Sequence, residues 1–160
     1  VGDFIEGGVV FYVDPQDDTK GLITQINDVG LIVWSLTETI TGATGTAIGT
    51  GLANTNTIVT DQGDGSYAAK SCQVVADGGN SDWYLPSKDE LNEIYLNKAA
   101  INATAVANGG SALISVGFPL YWCSTESNFN IAVVQDFNDG LPNSFLKSNE
   151  SNVRAIRNVK

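Results

Sequence analysis

Ser81-Asp82-Trp83-Tyr84-Leu85-Pro86-Ser87-Lys88-Asp89-Glu90-Leu91 is the stretch whose reading decides the fold. It joins an aromatic strand end to the start of a helix. Ser87 is an N-cap, and Glu90 three residues on completes a capping box. Leu91, Ile94 and Tyr95 then form the apolar stripe of the helix that follows. Further along, Tyr121-Trp122-Cys123-Ser124-Thr125-Glu126 reads as an aromatic core strand. The aromatic residues at 83, 84, 121 and 122 lie at strand ends or inside core strands. They are therefore expected to be buried framework rather than a sugar-stacking platform, and Trp34 likewise.

Working outward, residues 4–13 read as a strand with a bulge or bend at Gly7-Gly8. The acidic, Pro-containing segment 14–21 is a turn, and residues 21–26 return as the second half of a hairpin. Residues 31–35 are a further short strand. Residues 37–63 are rich in Thr and Gly and nearly uncharged. They read as a long ordered loop, closed by a short helix over 53–60, and so long a loop in one domain implies a use or a covering role. Ala68, Cys72, Val75 and Ala76 share one helical face, ended by Asp77-Gly78-Gly79-Asn80. Three strands follow over 121–124, 131–137 and 153–159, with 141–147 as a short strand or loop. Two helices among short, mostly antiparallel strands make an α+β class with long loops. No linker or repeat divides the chain, which reads as one domain, residues 1–160. Its lack of Met suggests a piece excised from, or C-terminal in, a longer surface protein.

Apolar residues make up 42% of the 160, enough for a core of its own. Charged residues are only 16%, and the formal net charge is −10. Phosphate backbones and anionic lipid surfaces select Lys and Arg, so no nucleic-acid partner is expected. No apolar run approaches the ~18 residues of a membrane span, so no membrane insertion is expected. His is absent. That removes Ser-His-Asp and Cys-His catalysis and His-ligated metals, and the chain reads as a non-enzyme. Gly49-Thr50-Gly51 begins like a dinucleotide fingerprint but lacks the third glycine and the strand-to-helix context. Cys72 and Cys123 read as a disulfide that would close about fifty residues and contribute ~3–4 kcal/mol, the other reading being two buried thiols.

Taken in order, Gly7-Gly8-Val9-Val10-Phe11, Gly21-Leu22-Ile23, Thr46-Ala47-Ile48-Gly49-Thr50-Gly51, Ala53-Asn54-Thr55-Asn56 and the Trp83 and Trp122 motifs form a pattern that ends at Val153-Arg154-Ala155-Ile156-Arg157. That pattern resembles the C-terminal domain of the Legionella collagen-like adhesin and its bacterial family, over nearly the whole chain. The resemblance implies a C-type-lectin-like fold, related to that of formylglycine-generating enzymes and of phage retroelement variable proteins. It implies an extracellular or cell-surface adhesin or receptor-binding domain that recognises a glycan or a protein on another surface. It also leaves open a homo-oligomer, such as a trimer, formed through the parent protein. Family members commonly carry Ser where this chain has Cys123. The adhesin domain is associated with sulfated glycans, whereas this chain is acidic.

In this fold ligands tend to meet the late strands and loops, which directs attention to Glu126, Asn128, Asn130, Asn138, Asp139, Asn143 and Lys147 as ligand-binding candidates. No resident cofactor is expected. Calcium is the one left open, with Asp136, Asn138 and Asp139 as a metal cluster; solvated turns are the plainer reading. Arg154 is expected to form a structural ion pair with Glu126, since both belong to family motifs. The alternative to a binding role is a structural or assembly module of a fibre, with the neutral surface of residues 37–60 packing between subunits.

Overall fold

A computed structural model describes residues 1–159. Its strands are β1 (Phe4–Ile5), β2 (Gly8–Asp14), β3 (Asp17–Gln25), β4 (Gly30–Val33), β5 (Leu120–Glu126), β6 (Ile131–Asp136), β7 (Pro142–Leu146), β8 (Glu150–Val153) and β9 (Ile156–Asn158). They form two sheets, ordered β1-β2-β3-β9 and β4-β8-β5-β6-β7. Every pairing is antiparallel except β5 with β8.

The first sheet starts at a tight turn. Ile5 pairs with Gly8, so only Glu6 and Gly7 join β1 to β2. Both have positive φ, 49° and 82°. A two-residue turn of that kind matches the twist of its flanking strands. The glycines thus build a hairpin rather than the expected bulge, which lies instead at Phe11, between Val10 and Tyr12.

The C-terminal segment is two strands where one was expected. β8 ends at Val153 in the second sheet, and β9 begins at Ile156 in the first. Arg154 lies in the crossover with its side chain fully buried, donating from Nε to Asp28 Oδ1 (2.7 Å) and from Nη1 to the Gln25 carbonyl (2.6 Å). Arg157, equally buried, donates to Asp82 (2.7 Å) and Glu6. The expected pairing of Arg154 with Glu126 is therefore corrected. Arg154 sits near the Tyr121 end of β5, where β8 pairs, and Glu126 closes the other end.

The helices are α1 (Gly51–Gln62), α2 (Ala68–Gln73), α3 (Lys88–Leu96) and α4 (Lys98–Ala107), of which α4 was not expected from the sequence. α1 extends beyond residues 53–60 at both ends and buries a polar face of Asn54 and Thr55 beside Ile58. α4 is Ala-rich, which favours helix, and buries Ile101 and Ala105 one turn apart. The capping box on α3 is present as read from the sequence, Glu90 N donating to Ser87 Oγ (3.3 Å) and Ser87 N to Glu90 Oε2 (2.7 Å).

Two apolar clusters make the core. One gathers Trp34, Trp83, Trp122, Ile58 and Cys72; the other gathers Phe11, Leu91, Ile94, Tyr121, Cys123 and Phe137. Each such large side chain removed from water contributes about 1.5–3 kcal/mol. Trp34 Nε1 donates to the Cys123 carbonyl (2.8 Å) and Trp122 Nε1 to the Ile32 carbonyl (2.9 Å), so the tryptophans tie β4 to β5 as they fill the core. The expected disulfide is absent: both cysteines are free and buried. Cys72 lies on α2 in the first cluster, Cys123 on β5 in the second, with Cys123 Sγ donating to the Val133 carbonyl (3.2 Å). Burial raises both thiols, that of Cys123 up to about 11, so neither is a thiolate at neutral pH.

Candidate ligand-binding cleft

The Thr- and Gly-rich segment 37–50 forms neither helix nor strand, yet it is tied down along its length. At one end, Thr41 N and Gly42 N donate to the Glu126 carboxylate at 2.9 Å. Lys147 Nζ completes this anchor, donating to Glu126 Oε1 (2.5 Å) and to the carbonyls of Thr39 (2.8 Å) and Phe129 (3.2 Å). Burial opposes the charge on Glu126, but the Lys147 ammonium and the two backbone amides outweigh it and hold the carboxyl below its usual range. In the middle, Asn54 exchanges hydrogen bonds with Gly45 N (3.1 Å) and the Gly45 carbonyl (2.7 Å). At the other end Gly49 N donates to Glu90 Oε1 (2.8 Å). A Cβ on Gly51 would run into Glu90 Oε2, so only glycine allows this approach. Glu90 forms no ion pair among the described residues, and burial raises its pKa against the backbone and side-chain donors that face it. The segment is a strap fastened by two motif carboxylates.

The strap and β5 also use up the start of α3. Lys88 N donates to Thr125 Oγ1 (3.1 Å), Asp89 N to the Thr46 carbonyl (2.9 Å), and Glu90 N to Ser87 Oγ. The amides that would otherwise make this helix end an anion site are spent internally.

Beside that helix end, between α3 and the β5–β6–β7 surface, opens a cavity of about 190 Å³. Leu91, Val133 and Pro142 give it apolar walls, and Cys123 lies in its lining. Lys88, Asp89, Asn92 and Gln135 supply its polar groups. Gln135 is only 4% exposed, and its Nε2 donates to Asn92 Oδ1 (2.8 Å) and the Gly140 carbonyl (2.9 Å). Two acceptors on that nitrogen fix the amide's orientation, and they leave Gln135 Oε1 buried without a donor. Lys88 and Asp89 engage in no ion pair among the described residues. Two other hollows, beside Trp83 and over Thr57 and Thr60, are more open.

The residues expected to bind ligand are mostly occupied. Glu126 and Lys147 are the buried strap anchor, removed from solvent by their pairing. Asn128 Oδ1 accepts from Asn130 N (3.0 Å) and Ile131 N (2.9 Å), closing the β5–β6 turn. Asp136 Oδ1 accepts from Asn138 N (2.8 Å) and Asp139 Oδ1 from Leu141 N (2.9 Å), closing the β6–β7 turn. These carboxylates fold the turn instead of converging as a cation site, and no group of three His, Cys, Asp or Glu suits a metal among the described residues. Asn143 is exposed on β7, next to Pro142 at the cleft. Sequence reasoning passed over Lys88, Asp89, Asn92 and Gln135. Lys88 and Asp89 stood inside the opening motif as helix-start residues, and Gln135 sits in a strand pattern with no local mark of function.

Fold and cleft define a two-sheet α+β domain with a small cavity beside α3, lined by apolar, amide and charged side chains, and a framework of buried ion pairs. The chain belongs to the Lcl C-terminal domain family, whose model matches residues 32–157. Its fold is similar to that of a fimbrial protein from Bacteroides ovatus ATCC 8483, with a TM-score of 0.61 at 14% identity, over 88% of this chain and 36% of that one. The chain thus spans about a third of that protein's length. No curated protein matches the sequence.

Proposed function

We propose that this chain is a non-catalytic, adhesin-type binding domain, displayed outside the cell, that recognises a glycan or a protein on another surface. Membership of the Lcl C-terminal domain family supports the adhesin-type setting, and the fimbrial protein with the same fold supports a surface or fibre context. The observation that carries a ligand-binding role is the cleft at α3, a cavity of about 190 Å³ where Leu91, Val133 and Pro142 form apolar walls around Lys88, Asp89, Asn92 and Gln135. Apolar walls with a few convergent polar groups are the usual make-up of a small-ligand site. The test is to probe the intact domain against arrays of glycans and extracellular proteins and against intact cells. Saturable binding to one class supports the reading; no binding to any of them overturns it.

A second reading has one observation in its favour. β7 is an edge strand, exposed nearly throughout, with exposed Leu141 just before it and exposed Leu146 at its end. Unpaired edge strands offer hydrogen-bonding groups to another chain. An assembly role within a fibre predicts concentration-dependent oligomers in sedimentation, broken by Ser144→Pro; a monomer at all concentrations removes it.

A further inference from the structure

We infer that β7 pairs with β7 of a second copy of this chain, antiparallel about a two-fold axis at Ser144, in a weak closed dimer. This rests on the assembly reading above and narrows it, because such a contact closes at two copies instead of building a fibre. β7 ends its sheet and pairs only with β6 among the described residues. Charged side chains and bulges commonly blunt such an edge. β7 has neither, and its one proline stands at its first residue.

The ladder with β6 fixes where the free main-chain groups of β7 point. Asp136 N donates to the Leu141 carbonyl (3.0 Å) and Lys147 N to the Asn130 carbonyl (2.9 Å), both in the register that aligns Ile131 with Leu146. Main-chain groups along an antiparallel strand alternate in direction. Asn143 and Phe145 therefore turn theirs toward β6, and Pro142, Ser144 and Leu146 turn theirs outward. Pro142 has no N–H to offer. The Leu146 carbonyl already accepts from Asn149 N (2.9 Å). The Pro142 carbonyl, both groups of Ser144 and the Leu146 N–H remain for a partner.

This set is complementary to itself. With Ser144 opposite the partner's Ser144, each N–H faces the other's carbonyl. Leu146 N–H faces the partner's Pro142 carbonyl, and the reverse holds across the axis. The one donor the edge lacks falls against the one acceptor it has already spent, so every outward group finds its complement. Leu146, 42% exposed, meets the partner's Pro142, which is a wall of the cleft. The axis is perpendicular to the sheet, so both clefts lie on the same side of the joined sheet. One strand pair falls short of the roughly 1,200 Å² of a stable interface, and each copy carries a net charge of −10. The dimer is therefore weak, with a Kd on the order of 0.1 mM, and tightens as salt screens the repulsion.

The experiment is sedimentation equilibrium of the intact domain from micromolar to millimolar concentration, at low and high salt, with the backbone amide resonances of β7 followed over the same range. A monomer–dimer equilibrium that tightens with salt is expected. The Ser144 and Leu146 amides should shift with concentration, and the Asn143 and Phe145 amides much less. Ser144→Pro removes the central donor, and Ser144→Lys sets two ammonium groups opposite each other; each should weaken the dimer about tenfold or more. Ser144 is exposed, so the lysine variant keeps the test valid if the proline variant folds poorly. The inference is overturned if both variants dimerise like the parent or if the shifts bypass Ser144 and Leu146. Open-ended polymers that Ser144→Pro breaks refute the two-fold pairing and leave the fibre reading standing. A monomer at every concentration and salt refutes both.

Discussion

The strap over residues 37–50 and the cleft beside it meet at the start of α3 but treat their polar groups in opposite ways. In the strap every anchor is spent: Glu126 on Lys147 and two amides, Glu90 on the Gly49 and Ser87 amides, and Asn54 on Gly45. In the cleft Gln135 Oε1 is left over, and Lys88 and Asp89 form no ion pair among the described residues. The difference separates the framework from the proposed binding surface better than composition does, since the strap is Thr-rich and irregular, which on composition alone suggests an idle or variable loop. Breaking the strap should cost stability first; breaking the cleft should cost binding first.

The largest effect is expected at the buried anchor. Lys147→Ala leaves Glu126 charged and buried without its cation, at a cost of about 3–5 kcal/mol in urea unfolding. Replacing both partners with apolar residues should restore only part of this, because the amides of Thr41 and Gly42 would still lack an acceptor. Next comes Gly140, which joins the two regions' neighbours: its φ is 81°, its carbonyl accepts from Gln135, and a Cβ there would strike the Tyr95 ring. Gly140→Ala should cost roughly 1–3 kcal/mol and, by moving Gln135, weaken ligand binding as well. Ser87→Ala removes the N-cap of α3 and the bond from Ser87 Oγ to the Ala47 carbonyl, for about 1 kcal/mol in the same assay.

The smallest effect distinguishes the two strap anchors by pH. Glu126 has a lowered pKa in the folded state, so its contribution is present above the unfolded pKa and lost as pH falls through the folded one. Glu90 has a raised pKa, so the folded state takes up its proton first and that term favours folding as pH falls toward the unfolded value. The difference in stability between the parent and Glu90→Gln should therefore shift toward the parent on acidification. An unchanged difference across that range would contradict the assignment.

What was legible in the sequence was local. Ser87 and Glu90 stand three apart in one helix turn, and their capping box follows from spacing alone. The aromatic motifs announced their own burial, because bulky residues in strand patterns have one place to go. The ion pairs were not legible. Glu126 meets Lys147 across the β5–β6–β7 meander, and Arg154 meets Asp28 only because the chain changes sheets after Val153. The cleft was the least legible. Asn92 and Gln135 come from different elements and face each other only through the packing of α3 on β6, and an unpaired oxygen has no signature in a sequence. Asn and Asp in the late loops drew attention by their hydrogen-bonding chemistry, but most of it serves the turns themselves.

The central claim is that binding resides in the cleft and the strap is framework. The direct measurement is the affinity of the domain for a glycan or protein found on the arrays, compared between Gln135→Leu and Thr57→Ala/Thr60→Ala, the latter on the exposed hollow beside the strap. The account predicts at least a tenfold loss for Gln135→Leu, measured at a temperature where that variant is folded because the Gly140 carbonyl loses its donor, and parent-like affinity for the threonine variant. Loss of binding in the threonine variant, with Gln135→Leu unaffected, would contradict it.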